Sequence, residues 1–348
     1  MATKPLVLLT GATGFVGAHI LSQLLDSDLA VLAPVRSESK TTFLKSKYPA
    51  HISSGSLTFI AIPDLSAPGA LGTVLQGKNV EYIIHVASPF FVSAKDSIKE
   101  LVEPAVEATK NILNAAIEHG QALKKVIILS SFAAVQNPFD EPRAGYIYTD
   151  KDWNPITPDQ ASTNGVLGYM ASKTFAERAA WETFDDVKKM GKGAISWDLI
   201  TFCPPMIYGP PLHEIDLTKG IGGLNTSLKF LLESVTAPGR VGTPFLPHWV
   251  DVRDVALAHA KAISLPKGTG GRFLLCEGPK YYEDGLAGLR KRGAKGLGEE
   301  GEKCDAGKWF CLDSSKAREV LGLEWRWFEA CTEDVWAWGE SAGLVGQQ

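Results

Sequence analysis

The feature that most constrains the fold is a glycine-rich turn near the N-terminus. A short apolar run over residues 6–9 is followed by Gly11, Gly14 and Gly17, and a helical apolar pattern covers residues 15–25. This order predicts a strand, a tight turn and a helix. Glycines there permit the turn, let the backbone approach a pyrophosphate and let helix and strand pack closely. Because free N–H groups at a helix start face an anion, we predict a dinucleotide site.

Strands and helices alternate after this turn. The predicted cofactor-binding residues of the turn are Gly11, Thr13, Gly14, Phe15, Val16 and Gly17. Further short apolar runs cover residues 30–35, 57–62, 80–86 and 126–129. The alternation predicts an α/β fold with a doubly wound parallel sheet, in which ligands lie beyond the carboxyl ends of the strands.

We expect two structural units. The dinucleotide-binding domain is predicted over residues 1–203 with parts of 245–280. Residues 204–245 and 281–348 are predicted to form a smaller C-terminal α/β substrate lobe. Residues 290–308 are rich in Gly, Lys and Glu, which indicates a surface loop.

The end of the second predicted strand indicates which cofactor binds. Arg36 follows that strand and Lys40 lies four residues further on. An acidic residue at this position binds the ribose 2′-hydroxyl of NAD, whereas an arginine accommodates the 2′-phosphate of NADP. The sequence therefore favours NADPH/NADP⁺ over NAD.

A tyrosine and a lysine four residues apart carry the predicted chemistry. Tyr169 and Lys173 lie in a helical pattern, so their side chains share one face. A neighbouring ammonium is expected to lower the pKa of a tyrosine and make it a usable acid. Ser131 follows the fifth strand, and its hydroxyl is predicted to bind the substrate oxygen as charge develops there.

These motifs together resemble one protein family. The matching segments are TGATGFVG at 10–17, Arg36, HVASPF at 85–90, LSSFAAV at 129–135, YMASK at 169–173 and WVDVRDVALAH at 249–259. The chain resembles the extended short-chain dehydrogenase/reductases from about residue 5 to 340. Within them it is most similar to the branch of dihydroflavonol reductases, cinnamoyl-CoA reductases and yeast-type NADPH-dependent methylglyoxal and ketone reductases. This resemblance implies a Rossmann-type sheet.

The resemblance also implies residue roles. It makes Ser131, Tyr169 and Lys173 the catalytic triad, with Lys173 also holding the nicotinamide ribose. It implies that Pro204 and the backbone near Met206 flank the nicotinamide. The remaining expected cofactor-binding residues are Asp64, Leu65, Val86, Ala87 and Ser88.

One departure concerns a proton relay. Where relatives carry an Asn-Gly-like step after Pro104, this chain has Glu107 and Ala108. Asn111 lies one turn further along, so a relay through asparagine stays open.

Three functions are compatible with these motifs. The first is an NADPH-dependent carbonyl reductase, in which hydride from the nicotinamide and a proton from Tyr169 convert an aldehyde or ketone into an alcohol. The alternatives are a nucleotide-sugar epimerase or dehydratase that retains NAD, and a non-catalytic NADP sensor. Arg36 and the apolar segment 85–90 oppose the epimerase, and a sensor has no need of the triad.

The substrate is expected to be a small hydrophobic or aryl carbonyl compound. Phe90, Phe132, Val166 and Met206 each lie beside a predicted active-site segment. Apolar walls with few polar groups are typical of small-molecule pockets.

Composition excludes several other classes. A net charge of -4 and a pI near 6.0 oppose a nucleic-acid partner. No apolar run is long enough to span a membrane, and the first strand begins too early for a signal peptide, so we expect a cytoplasmic protein. We also expect it to be a monomer or homodimer. The five cysteines contain no C-x-x-C pair, which favours reduced thiols and no metal site.

Overall fold

The computed structural model describes residues 4–88, 94–140, 142–191 and 195–346. Its strands are β1 Leu6–Thr10, β2 Ala30–Val35, β3 Leu57–Ala61, β4 Val80–His85, β5 Lys125–Leu129, β6 Ile147–Tyr148, β7 Asp198–Cys203, β8 Met206–Tyr208, β9 His248–Asp251, β10 Gly271–Leu274, β11 Gly278–Pro279 and β12 Cys311–Leu312. Its α-helices are α1 Phe15–Asp26, α2 Thr42–Lys47, α3 Pro49–Ser53, α4 Gly72–Leu75, α5 Glu103–His119, α6 Pro158–Ala161, α7 Gly165–Lys189, α8 Thr226–Thr236, α9 Val252–Ile263, α10 Ala287–Lys291, α11 Ser315–Leu321 and α12 Phe328–Ser341.

The main sheet is parallel throughout the part of the chain that the structure describes. Its seven strands run in the order β10-β7-β5-β4-β1-β2-β3. The chain moves outward from β1 to β3 and then returns to place β4 on the other side of β1. A crevice opens where the direction reverses, beyond the carboxyl ends of β1 and β4. The predicted Rossmann-type doubly wound sheet is confirmed.

Helices cover both faces of this sheet. Val7 and Leu9 of β1 belong to a core that includes residues of α1 and α9, whereas Leu8 belongs to a core with residues of α5 and α7. Alternate residues of one strand therefore enter opposite layers, which explains why these strands are apolar almost without interruption.

The C-terminal part has a core of its own. A small sheet, β11-β9-β8, contributes Tyr208 and Trp249, which pack with apolar residues of α8 and α12. In contrast, Ala317 and Leu321 of α11 pack with the core of the main sheet, although sequence analysis assigns them to the lobe. Helix α11 thus packs with the main sheet, although it lies within the predicted lobe.

Residues 290–308 are fastened to the rest of the protein. Arg290 donates to both carboxylate oxygens of Glu283 at 2.6 Å, and the Gly301 amide donates to the same carboxylate at 3.0 Å. Because Glu283 is buried, this ion pair ties the segment to the lobe. The interpretation of this segment as a mere surface loop is incomplete.

Within the four described ranges, no helix is both long and apolar enough to cross a bilayer.

Candidate active site

The glycine-rich turn packs directly against the end of β4. Gly11 has φ +76°, and a Cβ there would lie 2.8 Å from the Ala87 nitrogen. A Cβ on Gly17 would lie 1.9 Å from the Gly11 oxygen. Both positions therefore require glycine. Gly11 is needed for its positive φ and its close contact with β4, and Gly17 for the packing of the helix against the turn.

The first turn of α1 is available to an anion. Gly14 is the N-cap, and no side chain caps the helix at this residue. A Cβ on Gly14 would meet only the Gly11 oxygen, at 3.4 Å, so the surface beyond it is open. Thr13, Phe15 and Val16 are partly buried around the turn. This cradle fits the pyrophosphate of a dinucleotide.

The predicted adenosine-side residues lie at the ends of β2 and β3. Arg36 and Lys40 are exposed, as is Asp64. Hydrogen bonds from Ser66 and, to a smaller extent, the Arg36 charge lower the pKa of Asp64. Arg36 therefore lies close enough to Asp64 to act on it electrostatically.

Leu65 and Asn111 are connected by a hydrogen bond. The Asn111 amide donates to the Leu65 oxygen at 3.0 Å and to the Ala67 oxygen at 2.9 Å. The amide thus holds the loop after β3, and its donors are engaged there. The structure consequently gives no support to a proton relay through Asn111.

Thr10 and His85 form a buried network that sequence analysis missed. The Val86 and Ala87 amides each donate to Thr10 Oγ1 at 3.2 Å, and that oxygen lies 2.8 Å from His85 Nδ1. Since the oxygen accepts two N–H groups, the hydroxyl proton points to Nδ1, and the proton of the neutral imidazole is on Nε2. Burial and the Lys173 charge lower the pKa of His85 to about 3, so the ring is neutral.

Ser131 and Tyr169 come together at the edge of the sheet. The Tyr169 hydroxyl donates to Ser131 Oγ at 3.4 Å, and the Ala133 amide donates to the same Oγ at 3.1 Å. Ser131 is positioned by the end of β5, and Tyr169 by α7, whose N-terminus is capped by Asn164. Lys173 follows one turn along α7, as the spacing predicts.

Burial dominates the electrostatics of Tyr169. It raises the pKa of the phenol, and the Ser131 hydrogen bond opposes that increase only in part. The expectation that the neighbouring lysine lowers this pKa is wrong, because desolvation of the phenolate outweighs other effects. A protonated phenol is the form that can donate a proton to a carbonyl oxygen.

Lys173 is also perturbed by burial. Burial lowers the pKa of its ammonium to about 8, whereas Cys203 and Glu177 act to raise it. Lys173 is therefore still largely an ammonium at neutral pH.

Glu177 is a further buried residue that sequence analysis missed. It lies four residues after Lys173 on α7 and pairs with Arg272 of β10, with 2.8 Å between Arg272 Nε and a carboxylate oxygen. The available clue was a carboxylate at the i+8 position from Tyr169, on the face of the helix that carries the two catalytic candidates.

The predicted substrate-pocket residues have different fates. Phe90 lies outside the described residues. Phe132 is only 1% exposed, and its ring packs against Tyr148, His248 and Phe310. The prediction that Phe132 lines the pocket is therefore wrong, because its side chain belongs to an aromatic core.

The other two pocket candidates lie nearer the surface. Val166 is 43% exposed in the first turn of α7, one turn before Tyr169. Met206 is partly buried and contacts two apolar clusters at the start of β8. The Pro204 oxygen accepts the Phe132 amide at 2.8 Å, which joins the ends of β5 and β7.

Ser88 and Lys173 line one small cavity beside the turn after β4, together with His85, Ser130 and Glu177. In the described ranges, no group of three or more His, Cys, Asp or Glu side chains is arranged to hold a metal ion.

Comparison with known proteins identifies the family. Residues 7–275 match the model of the NAD dependent epimerase/dehydratase family, and the chain belongs to this family. The predicted resemblance to the extended short-chain dehydrogenase/reductases is confirmed.

Individual proteins similar to this chain include an oxidoreductase and two solved reductase structures. A Schizosaccharomyces pombe protein described as an oxidoreductase is 39% identical, over 95% of both chains. The structure of yeast methylglyoxal/isovaleraldehyde reductase Gre2 complexed with NADPH is 28% identical, has a TM-score of 0.85 and covers 98% of this chain and 100% of its own. Candida albicans Gre2 in complex with NADPH is 32% identical, with a TM-score of 0.83 and coverage of 97% and 99%.

Proposed function

We propose that this protein is an NADPH-dependent carbonyl reductase, which converts an aldehyde or ketone into an alcohol. The observation that carries the proposal is the Tyr169 hydroxyl facing Ser131 Oγ at 3.4 Å, one helical turn before Lys173. These groups lie at the carboxyl edge of the sheet, where ligands of doubly wound folds bind. The likeness to two Gre2 structures complexed with NADPH supports a reductase over an epimerase or a sensor.

Residues of the glycine-rich turn would hold the cofactor phosphates. Gly11, Gly14 and Gly17 form the cradle described above, and Arg36 and Lys40 would bind the 2′-phosphate. Planar guanidinium groups suit this role because they meet phosphate oxygens bidentately. Further proposed contacts to the cofactor are made by Thr13, Phe15, Val16, Asp64, Leu65, Val86, Ala87, Ser88, Tyr169, Lys173, Pro204 and Met206. When bound, the nicotinamide supplies the hydride.

The chain itself supplies the proton and orients the carbonyl group. The Ser131 hydroxyl would donate to the carbonyl oxygen and stabilise negative charge on it. Tyr169 would transfer its phenolic proton to that oxygen, and burial keeps the proton on the phenol until substrate binds. The Lys173 ammonium would stabilise the phenolate that is left.

We also propose the substrate class, the location and the domain division of this protein. We propose a small hydrophobic or aryl carbonyl substrate, with Val166 and Met206 beside it. We propose a cytoplasmic monomer or homodimer without nucleic-acid partners. The division into a dinucleotide-binding domain and a substrate lobe is also proposed, with α11 packed on the former.

A substrate panel tests the proposal. The purified protein is mixed with aryl ketones, short aliphatic ketones, aldehydes and, as a control, UDP-sugars, and loss of NADPH or NADH absorbance is followed. We expect consumption of NADPH with carbonyl compounds and at least about tenfold slower use of NADH, since about 1.4 kcal/mol of phosphate binding is a factor of ten. Conversion of a UDP-sugar without net NADPH loss would reject the reductase in favour of the epimerase.

A further inference from the structure

A buried ion pair lies directly beneath the catalytic face of α7. Glu177 and Arg272 are 2% and 6% exposed. Arg272 Nε donates to one carboxylate oxygen of Glu177 at 2.8 Å, and Arg272 Nη2 donates to the other at 3.2 Å. Charges are rarely buried unless they are paired and hydrogen-bonded, so this pair is a costly feature for the fold.

Neighbouring strands supply further donors to the same carboxylate. Ser130, which follows β5, donates at 2.7 Å, and Thr201 of β7 donates to the other oxygen at 2.7 Å. The thiol of Cys203, at the end of β7, lies 3.5 Å from one oxygen. These donors and the guanidinium together surround both oxygens of the Glu177 carboxylate.

Arg272 is fixed by the loop beside the active site. It donates to the backbone oxygens of Ala134 and Asp152, and its guanidinium lies 3.7 Å from the centre of the Trp153 ring. Arg272 therefore cannot turn away from Glu177 without breaking contacts to that loop.

Lys173 shares a small cavity with this carboxylate. The two residues are four apart on α7, and both line the small cavity that also contains His85 and Ser130. Among the described residues, the other titratable groups around Lys173 are Tyr169 on the same helix, Cys203 from β7 and His85 from β4.

The titratable groups around Lys173 differ in charge. Burial lowers the pKa of His85 to about 3 and raises the pKa values of the Cys203 thiol and the Tyr169 phenol. All three are thus neutral at physiological pH. Of the described residues that line the cavity, Glu177 is the one with a carboxylate.

We propose that Glu177, held in place by Arg272 and Ser130, is a positioning residue that keeps the Lys173 side chain in its ammonium form during the reaction. The inference rests on the proposed reductase function. Without a carboxylate at this position, burial alone would drive Lys173 toward the neutral amine and remove the charge that stabilises a Tyr169 phenolate.

The pH dependence of Glu177→Gln tests this proposal. In the wild type, kcat/KM for reduction should fall as pH rises through the Lys173 pKa, which is about 8. Loss of the carboxylate disfavours the ammonium and so lowers the pKa of Lys173. The fall in kcat/KM should therefore move to lower pH by about one unit, as expected when one nearby opposite charge is removed. NADPH fluorescence titrations should show the same displacement in the pH dependence of the dissociation constant, because Lys173 is proposed to hold the nicotinamide ribose.

A second buried ion pair provides the matched control. Lys125 and Asp198 pair at 2.6 Å with side-chain exposures of 3% and 13%. They begin β5 and β7, roughly 17 Å of strand away from the catalytic edge at about 3.3 Å per residue. Asp198→Asn should therefore lower stability without moving the pH profile.

A double variant covers the case in which Glu177→Gln does not fold. Glu177→Gln/Arg272→Met removes both charges and leaves no unpaired charge in the core, so it should be more stable than Glu177→Gln alone. Its profile should move in the same direction, by a smaller amount. An unmoved profile in a folded Glu177 variant, or an equal shift in Asp198→Asn, would overturn the proposal. Absence of carbonyl reduction by the wild type would instead reject the reductase function, and the NADPH titrations would then still decide the role of Glu177.

Discussion

Replacement of Gly17 by alanine should damage the fold more than the same change at Gly14, three residues earlier. A Cβ at Gly17 would lie 1.9 Å from the Gly11 oxygen and 3.1 Å from the Ala12 Cα, so backbone atoms must move. Overpacking costs typically about 1–3 kcal/mol, and alanine recovers up to about 1 kcal/mol within a helix. Because the obstacles are backbone, we expect a net loss of about 2 kcal/mol.

Gly14→Ala is the matched control. Its Cβ would make an ordinary contact at 3.4 Å, and the change at the N-cap should cost about 0.5 kcal/mol. Its methyl group would instead stand where the pyrophosphate approaches, so NADPH should bind at least about tenfold more weakly. Urea unfolding followed by tryptophan fluorescence gives the stabilities, and NADPH fluorescence gives the dissociation constants. Equal stability of the two variants would refute the packing argument.

Two further variants test other parts of the site. Arg36→Asp should reduce the preference for NADPH over NADH at least about tenfold in kcat/KM without changing stability, because Arg36 is exposed; an unchanged preference would remove Arg36 from cofactor selection. Phe132→Ala should lower the free energy of unfolding by about 3–5 kcal/mol, since the ring is fully buried. The variant should keep the wild-type order of preference among aryl and aliphatic ketones. A changed order would show that Phe132 does line the substrate pocket.

Much of the fold could be predicted because its signals are local. The glycine spacing after β1 and the alternation of apolar strands with helices are sufficient to predict a doubly wound sheet from the sequence. The four-residue interval between Tyr169 and Lys173 and the position of Ser131 after β5 likewise follow from helix and strand geometry. Not every element is found in this way: β9 has no such local signal, and Asp251 at its end is the N-cap of α9.

The rest depends on contacts between distant parts of the chain. The burial of Phe132 follows from packing against Phe310 and His248, which no local pattern reveals. The pairing of Glu177 with Arg272 joins residues 95 positions apart. The raised pKa of Tyr169 likewise reflects desolvation of the phenol by the assembled fold.

The proposed role of Tyr169 can be tested most directly by Tyr169→Phe. Single-turnover and steady-state reduction of a ketone by NADPH are measured alongside the NADPH dissociation constant, with wild type as reference. Since a positioned acid typically contributes about 10²- to 10⁴-fold, the proposed role predicts a loss of that order in kcat with NADPH binding unchanged. Reduction by Tyr169→Phe at close to the wild-type rate would contradict it.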